Sequence, residues 1–204
     1  LPFITIPDSG FEPRMAIGYS MLGVARLLGD TQMEQSIRQG GKLAEPISTQ
    51  AAGTALAQKL IGKTPLVWAS NANLPLAYIW KIKFNETSKI PAFCNSMPEL
   101  CHNELTGFDV VESTRELFAR YHVIMLDDNK DHPRIQKRMK IAQEVLAARN
   151  IPVERVTLHG EGFEKIFNAA LLADWVSLGL ARHYGVPDAQ TPLIAEFKKL
   201  MAQG

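Results

Sequence analysis

The segment "KFNETSKIPAFCNSMPELCHNEL", Lys83 to Leu105, gathers Glu86, Glu99 and Glu104 with His102, Lys83 and Lys89 around a short apolar run. Carboxylates and imidazoles are the side chains that most readily take and return protons near neutral pH, so the chemistry on offer is acid–base catalysis. A solvated face and a loop would have the same composition, and the residue types by themselves leave both readings open. Asp127, Asp128 and Asp131 form a second acidic group. They could mark a magnesium site at the end of a strand. The preferred reading is a cap for the following helix and its flanking turn, because acids there complement the helix dipole.

Other chemistries have little support. No GxGxxG follows a strand, and there is no Walker loop or GxSxG elbow. His102, His132 and His159 are scattered without the recurrent spacing of a zinc centre, so no metal is expected. Cys94 and Cys101 are expected to pack or to face a loop, Trp175 to lie in the core, and Lys137, Arg138 and Lys140 to form the wet face of a helix.

The elements that would position these residues can be read from periodicity. "EPRMAIGYSMLGVARLLG" has helical spacing, with Pro13 near its first turn and Gly29 past its end. "DTQMEQSIRQGGKLAEP" and "STQAAGTALAQKLIG" predict two more helices, the second capped by Ser48. "TPLVWAS", "IPAFCN", "YHVIMLDD" and "ERVTLHG" predict strands. Between and after them run the helical patterns "NLPLAYIWKIKFNETSK", "DHPRIQKRMKIAQEVLAARN", "GFEKIFNAALLADWVSLGLARHYG" and "TPLIAEFKKLMAQG". Strands alternating with helices of this length imply an α/β fold, a doubly wound parallel sheet of about four or five strands flanked by helices in a three-layer, flavodoxin-like sandwich. Ligands of such sheets collect beyond the carboxyl ends of the strands, where "ASNANLP", "CNSMPEL" and "DDNKDHP" would lie.

The chain has 204 residues, 46% of them apolar, and a formal charge of +1. That is enough for one substantial core, and it gives no basic stripe for nucleic acid. No apolar run approaches the roughly 20 residues of a membrane span, and the start lacks the pattern of a signal peptide. A cytoplasmic protein is expected. The chain opens on Leu1 within the β-like run "LPFITIP". Residues 1–12 are therefore expected to be a strand or linker leaving a missing amino-terminal domain, with residues 13–204 forming the domain described above.

Asn85, Glu86 and Lys89 form an NE-x-x-K segment, and Glu99, His102, Asn103 and Glu104 an E-x-x-HNE segment a dozen residues later. "PRMAIGYS", "ADWVSLGLARHYGV" and the terminal "EFKKL" complete an ordered series. This series resembles the carboxyl-terminal half of the bifunctional phosphoglucose/phosphomannose isomerases. The resemblance implies a sugar-isomerase (SIS) domain, with a second such domain upstream whose Ser/Thr-rich loops hold the substrate phosphate. "WASNAN" is a poor copy of such a loop. The implied activity interconverts glucose 6-phosphate, or mannose 6-phosphate, with fructose 6-phosphate through an enediolate.

Under that resemblance Glu86 moves the proton between C1 and C2. His102 serves ring opening and the C1 hydroxyl, Arg14 stabilises the oxyanion, and Lys198 assists ring opening, with Lys199 as the neighbouring choice. Arg14, His102 and Lys198 would also bind substrate. Asn103 and Glu104 would orient the histidine loop. The resemblance also implies a homodimer with a shared active site to which the histidine comes from the partner, and no metal or organic cofactor. The competing expectation is a sugar-phosphate-binding or dimerisation module without catalysis.

Overall fold

The computed structural model describes residues 3–8, 10–109 and 111–203. Four strands, β1 (Thr64–Ser70), β2 (Phe93–Met97), β3 (Tyr121–Asp127) and β4 (Val153–Thr157), form one parallel sheet in the order β2-β1-β3-β4. The helices are α1 (Ile17–Leu28), α2 (Thr31–Leu43), α3 (Pro46–Leu60), α4 (Leu74–Glu86), α5 (Pro133–Ala147), α6 (Gly162–Tyr184) and α7 (Pro192–Met201). The fold is the doubly wound α/β sandwich that the alternation implies.

Side chains alternate across each strand, so the central strands feed two cores. Val67, Ala69, Ile124, Leu126 and Val156 face Leu60, Trp80, Phe84, Ala173 and Leu180 from α3, α4 and α6. Leu66, Trp68, Val123 and Met125 face Met139, Ala142 and Leu146 of α5. The near-continuous apolar runs of β1 and β3 follow from burial on both faces. Helix α6 is the hub of the first layer. It passes so close to α3 that a Cβ at Gly53 would lie 2.4 Å from the Cβ of Trp175. That approach fixes the turn of α6 that carries Asp174.

Some local expectations are corrected. Of residues 1–12, expected as a strand or linker, 1, 2 and 9 lie outside the described residues, and 3–8 make no strand: Phe3, Ile4 and Ile6 are exposed, and none of the four sheet strands pairs with them. A β-like run without a ladder partner gains no backbone hydrogen bonds. The first helical pattern divides into a 3-10 turn, Pro13–Met15, and α1, with Gly29 closing α1 in the left-handed region at φ 68°. Helix α3 starts at Pro46 rather than after Ser48, because proline already has the φ of a first helical residue. Ser48 Oγ lies inside the helix and donates to Glu45.

His122 is buried on β3, in register with Pro65, and neither ring nitrogen has a hydrogen-bond partner among the described residues. Burial, helped by Lys63 and Lys59 and opposed by Glu154, lowers its pKa below the usual imidazole range. The unfolded chain therefore binds a proton that the folded chain refuses. This effect is absent above the unfolded pKa of about 6.5, and stability falls as pH drops below it, by up to about 1.4 kcal/mol per pH unit. Replacing His122 with leucine is expected to flatten the fall in thermal midpoint between about pH 7 and about pH 5, measured by circular dichroism.

Candidate functional site

The Pro13–Met15 turn projects Arg14 across the end of α4. Its side chain is only 4% exposed, and its planar guanidinium is held on several sides. Nε donates to Thr87 Oγ1 at 3.1 Å and Nη1 to Glu86 Oε2 at 3.3 Å. Nη2 donates to the carbonyls of Asp188 and Ala189, in the loop after α6. Glu12 lies at 3.8 Å from Nη1. Glu86 occupies the last turn of α4 and remains 42% exposed, so its carboxylate has one side on a fixed cation and another open to a ligand. An anion developing beside Glu86 would meet a cation that needs no reorganisation.

Three features around this pair were not assigned roles from sequence. Thr87 fixes the plane of the guanidinium, and the Asp188–Ala189 carbonyls close its far side. Lys89, at φ 57°, turns its ammonium back onto the Glu86 carbonyl. Burial and the neighbouring Arg14 lower the Lys89 pKa. The third feature is a pair of buried Lys83 with part-buried Asp174, in contact with the Arg14 backbone. Thr87 and Lys89 belong to the NE-x-x-K segment and could have been noticed there. The two carbonyls have no signal in a sequence.

His102 follows β2 and a 3-10 turn, Glu99–Cys101, and its ring is exposed. Its loop is tied to the sheet by Glu104, which accepts from Trp68 Nε1 at 2.9 Å and from Asn95 Nδ2. Asn103 accepts from the Glu104 N–H and donates to Glu99 Oε1 at 3.1 Å. Glu104→Ala would strand the Trp68 N–H of β1. Such unsatisfied groups cost about 1–3 kcal/mol, so denaturant unfolding is expected to show a loss of that size, largely restored by Glu104→Gln.

The order of the elements places Glu86 and His102 at opposite ends of β2. Helix α4 ends at Glu86 before the chain enters β2, and His102 lies beyond the other end of β2. The length of α4, about 20 Å at 1.5 Å per residue, sets the scale of their separation. Lys198 and Lys199 are exposed on α7, whose residues 193–201 are all exposed, and neither is a partner of Arg14 or Glu86.

The crevice between β1 and β3, where the strand order reverses, is filled by the chain itself. Asn73 Nδ2 and Lys165 Nζ both donate to Asp128 Oδ2, at 3.0 and 2.6 Å. Burial opposes charge on Asp128, but hydrogen bonds from Lys165, the Lys130 N–H and Asn73 outweigh it and hold the carboxyl below its ordinary range. None of the three acids caps α5 itself, but Asp128 holds the flanking turn by accepting from the Lys130 N–H at 2.9 Å. His132 Nδ1 caps α5 through the Arg134 N–H, and Asp127 pairs with Arg155. Lys165 is thus taken up by Asp128 and is not free to hold a phosphate there.

Among the described residues no group of three or more His, Cys, Asp or Glu side chains could hold a metal ion, and no helix is long and apolar enough to cross a membrane. Burial raises the pKa of both thiols, Cys94 and Cys101, which argues against a nucleophilic thiolate.

Comparison with known proteins points in one direction. A family model described as the bacterial phospho-glucose isomerase C-terminal SIS domain matches residues 49–201. A bifunctional phosphoglucose/phosphomannose isomerase of Aquifex aeolicus is 31% identical over 193 residues, covering 93% of this chain and 58% of the relative. The protein of the same name from Caldicellulosiruptor bescii is 32% identical over 196 residues, covering 89% of this chain and 57% of that one. The chain thus spans less than two thirds of the length of these relatives. Among solved structures, a glucose-6-phosphate isomerase like protein from Thermus thermophilus superimposes with a TM-score of 0.62 at 18% identity, over 85% of this chain and 61% of that one, a likeness of fold.

Proposed function

We propose a function from one premise: the chain belongs to the bacterial phospho-glucose isomerase C-terminal SIS-domain family. It is the carboxyl-terminal half of an aldose–ketose isomerase that interconverts fructose 6-phosphate with glucose 6-phosphate, and with mannose 6-phosphate where C2 has room. The observation that carries this reading is the Arg14–Glu86 pair, a half-exposed carboxylate fixed at 3.3 Å from a buried guanidinium.

In the open-chain sugar, Glu86 takes the proton from C1 of the ketose and returns it at C2, or the reverse. The enediolate formed between these steps carries negative charge on oxygen, which Arg14 stabilises. Ring opening needs a proton moved from the C1 or C2 hydroxyl to the ring oxygen, a task for the two-nitrogen ring of His102, with Lys198 assisting. Proton transfer of this kind requires no metal or organic cofactor.

The separation of Glu86 from His102 supports a homodimer in which a second copy of the chain contributes its own His102 to complete the site. The self-filled crevice between β1 and β3 supports an upstream SIS domain as the holder of the phosphate. A soluble sugar phosphate as substrate supports a cytoplasmic location.

A coupled assay of glucose 6-phosphate formed from fructose 6-phosphate tests the reading, run on this chain and on the protein at the full length of its relatives, with mannose 6-phosphate as a second substrate. Turnover by the longer form is expected. If the longer form does not isomerise fructose 6-phosphate, a non-catalytic binding or dimerisation module replaces the proposal.

A further inference from the structure

Lys83 is a lysine with almost no access to water, 2% exposed, on the helix whose apolar side chains fill the first core. Its ammonium donates to Asp174 Oδ1 of α6 at 2.5 Å and to the backbone carbonyl of Arg14 at 3.1 Å. It sits one helical turn before Glu86, a spacing that puts both side chains on the same side of α4. Lys83 therefore joins the three segments that make the candidate site: the Arg14 turn, the end of α4 and the middle of α6.

A buried ion pair is a poor device for stability alone, because desolvating two charges cancels most of their attraction and apolar residues of similar volume do as well or better. Burial raises the pKa of Asp174 despite Lys83 and Arg14 nearby, the mark of a carboxylate that bears such a cost. What an apolar pair could not do is hold a carbonyl. One turn further along α6, the Ser177 carbonyl accepts from the buried Ser88 hydroxyl at 2.8 Å. Helix α6 thus grips the chain on both sides of Glu86 and Thr87, through Lys83 before them and Ser88 after them.

We infer that Lys83 and Asp174 are positioning residues of the isomerase site, fixing the Arg14 backbone so that its guanidinium meets Glu86. The inference rests on the function proposed above. Neither residue touches the substrate, so each acts through Arg14.

The test is the double substitution Lys83→Met with Asp174→Leu, which removes the pair without leaving a lone buried charge. The variant is expected to keep its thermal midpoint within a few degrees. Misplacement of a reacting group by about 1 Å can cost about 100-fold in rate, so kcat is expected to fall about 10- to 100-fold with KM changed less than about threefold. In an Arg14→Gln background the same double substitution is expected to add almost nothing, since the two changes act through one group. Full additivity in that cycle would overturn the inference while leaving the isomerase reading intact.

A second readout needs no substrate. The Arg14 Nε–H is held by Thr87, and its nitrogen-15 NMR signal is expected to be protected from exchange in the unsubstituted chain and unprotected in the double variant. Continued protection would overturn the inference whatever the assay gives. Absence of turnover by the unsubstituted protein would overturn the isomerase reading separately. Should the double variant not fold, Asp174→Asn keeps an oxygen for Lys83 but removes the charge. It is expected to raise the exchange rate of the same signal, and unchanged exchange would count against the pair.

Discussion

Glu86→Gln is expected to abolish isomerisation while leaving the fold in place. The amide keeps the size of the carboxylate, and its oxygen can still accept from Arg14 Nη1, so the guanidinium retains its other ties to Thr87, Asp188 and Ala189. What is lost is the ability to take a proton from carbon. Removal of a positioned general base costs about 100- to 10,000-fold in rate, and among the described residues no second carboxylate is placed to substitute. Glu12 also approaches the guanidinium, but only at 3.8 Å and without a hydrogen bond to it. The loss should fall on kcat, with KM and the thermal midpoint nearly unchanged, because Glu86 is half-exposed and buries no unpaired atom. Steady-state kinetics beside a melting curve would check this. A proportional loss of stability would mean that Glu86 serves the fold instead.

The second large effect concerns the two ends of the sheet. By the order of the elements, Glu86 at the end of α4 and His102 beyond the far end of β2 lie at opposite ends of the sheet in a single chain. In a two-fold dimer each site would combine Glu86 of one subunit with His102 of the other. Dimers of Glu86→Gln alone, or of His102→Ala alone, have no intact site. A mixed dimer has one intact site and one doubly damaged site. Random exchange makes half the dimers mixed, so roughly a quarter of the unsubstituted activity should return on mixing. No recovery, with exchange of subunits demonstrated by mass, would contradict a shared site.

The sheet was the most legible part of the molecule. The apolar runs of β1 and β3 and the helices between them follow from periodicity, because residues buried on both faces leave no alternative composition. "LPFITIP" shows the limit of that reasoning: β-propensity is satisfied only where a partner strand supplies the ladder, and residues 3–8 have none in the sheet. Asp128 shows another limit. Its position after a strand suited a helix cap, but a lysine 37 residues away, Lys165, claims the carboxylate.

The candidate site divides in the same way. Glu86, Arg14 and His102 stand out as ordered motifs, as do Asn103 and Glu104 that tie the histidine loop, whereas Arg14 also rests on two distant carbonyls and the Lys83–Asp174 pair. Lys83 and Asp174 lie 91 residues apart, and their meeting is a product of α4 packing on α6. Local patterns do not encode such meetings.

The most direct measurement follows the proton itself. Glucose 6-phosphate deuterated at C2 would be incubated with the protein at the full length of its relatives, and the C1 hydrogens of the fructose 6-phosphate formed would be followed by proton NMR. Transfer through Glu86 is expected to release part of the label to water in the unsubstituted protein, with no release and no product from Glu86→Gln. Label release and product formation that survive Glu86→Gln at a comparable rate would contradict the role given to Glu86.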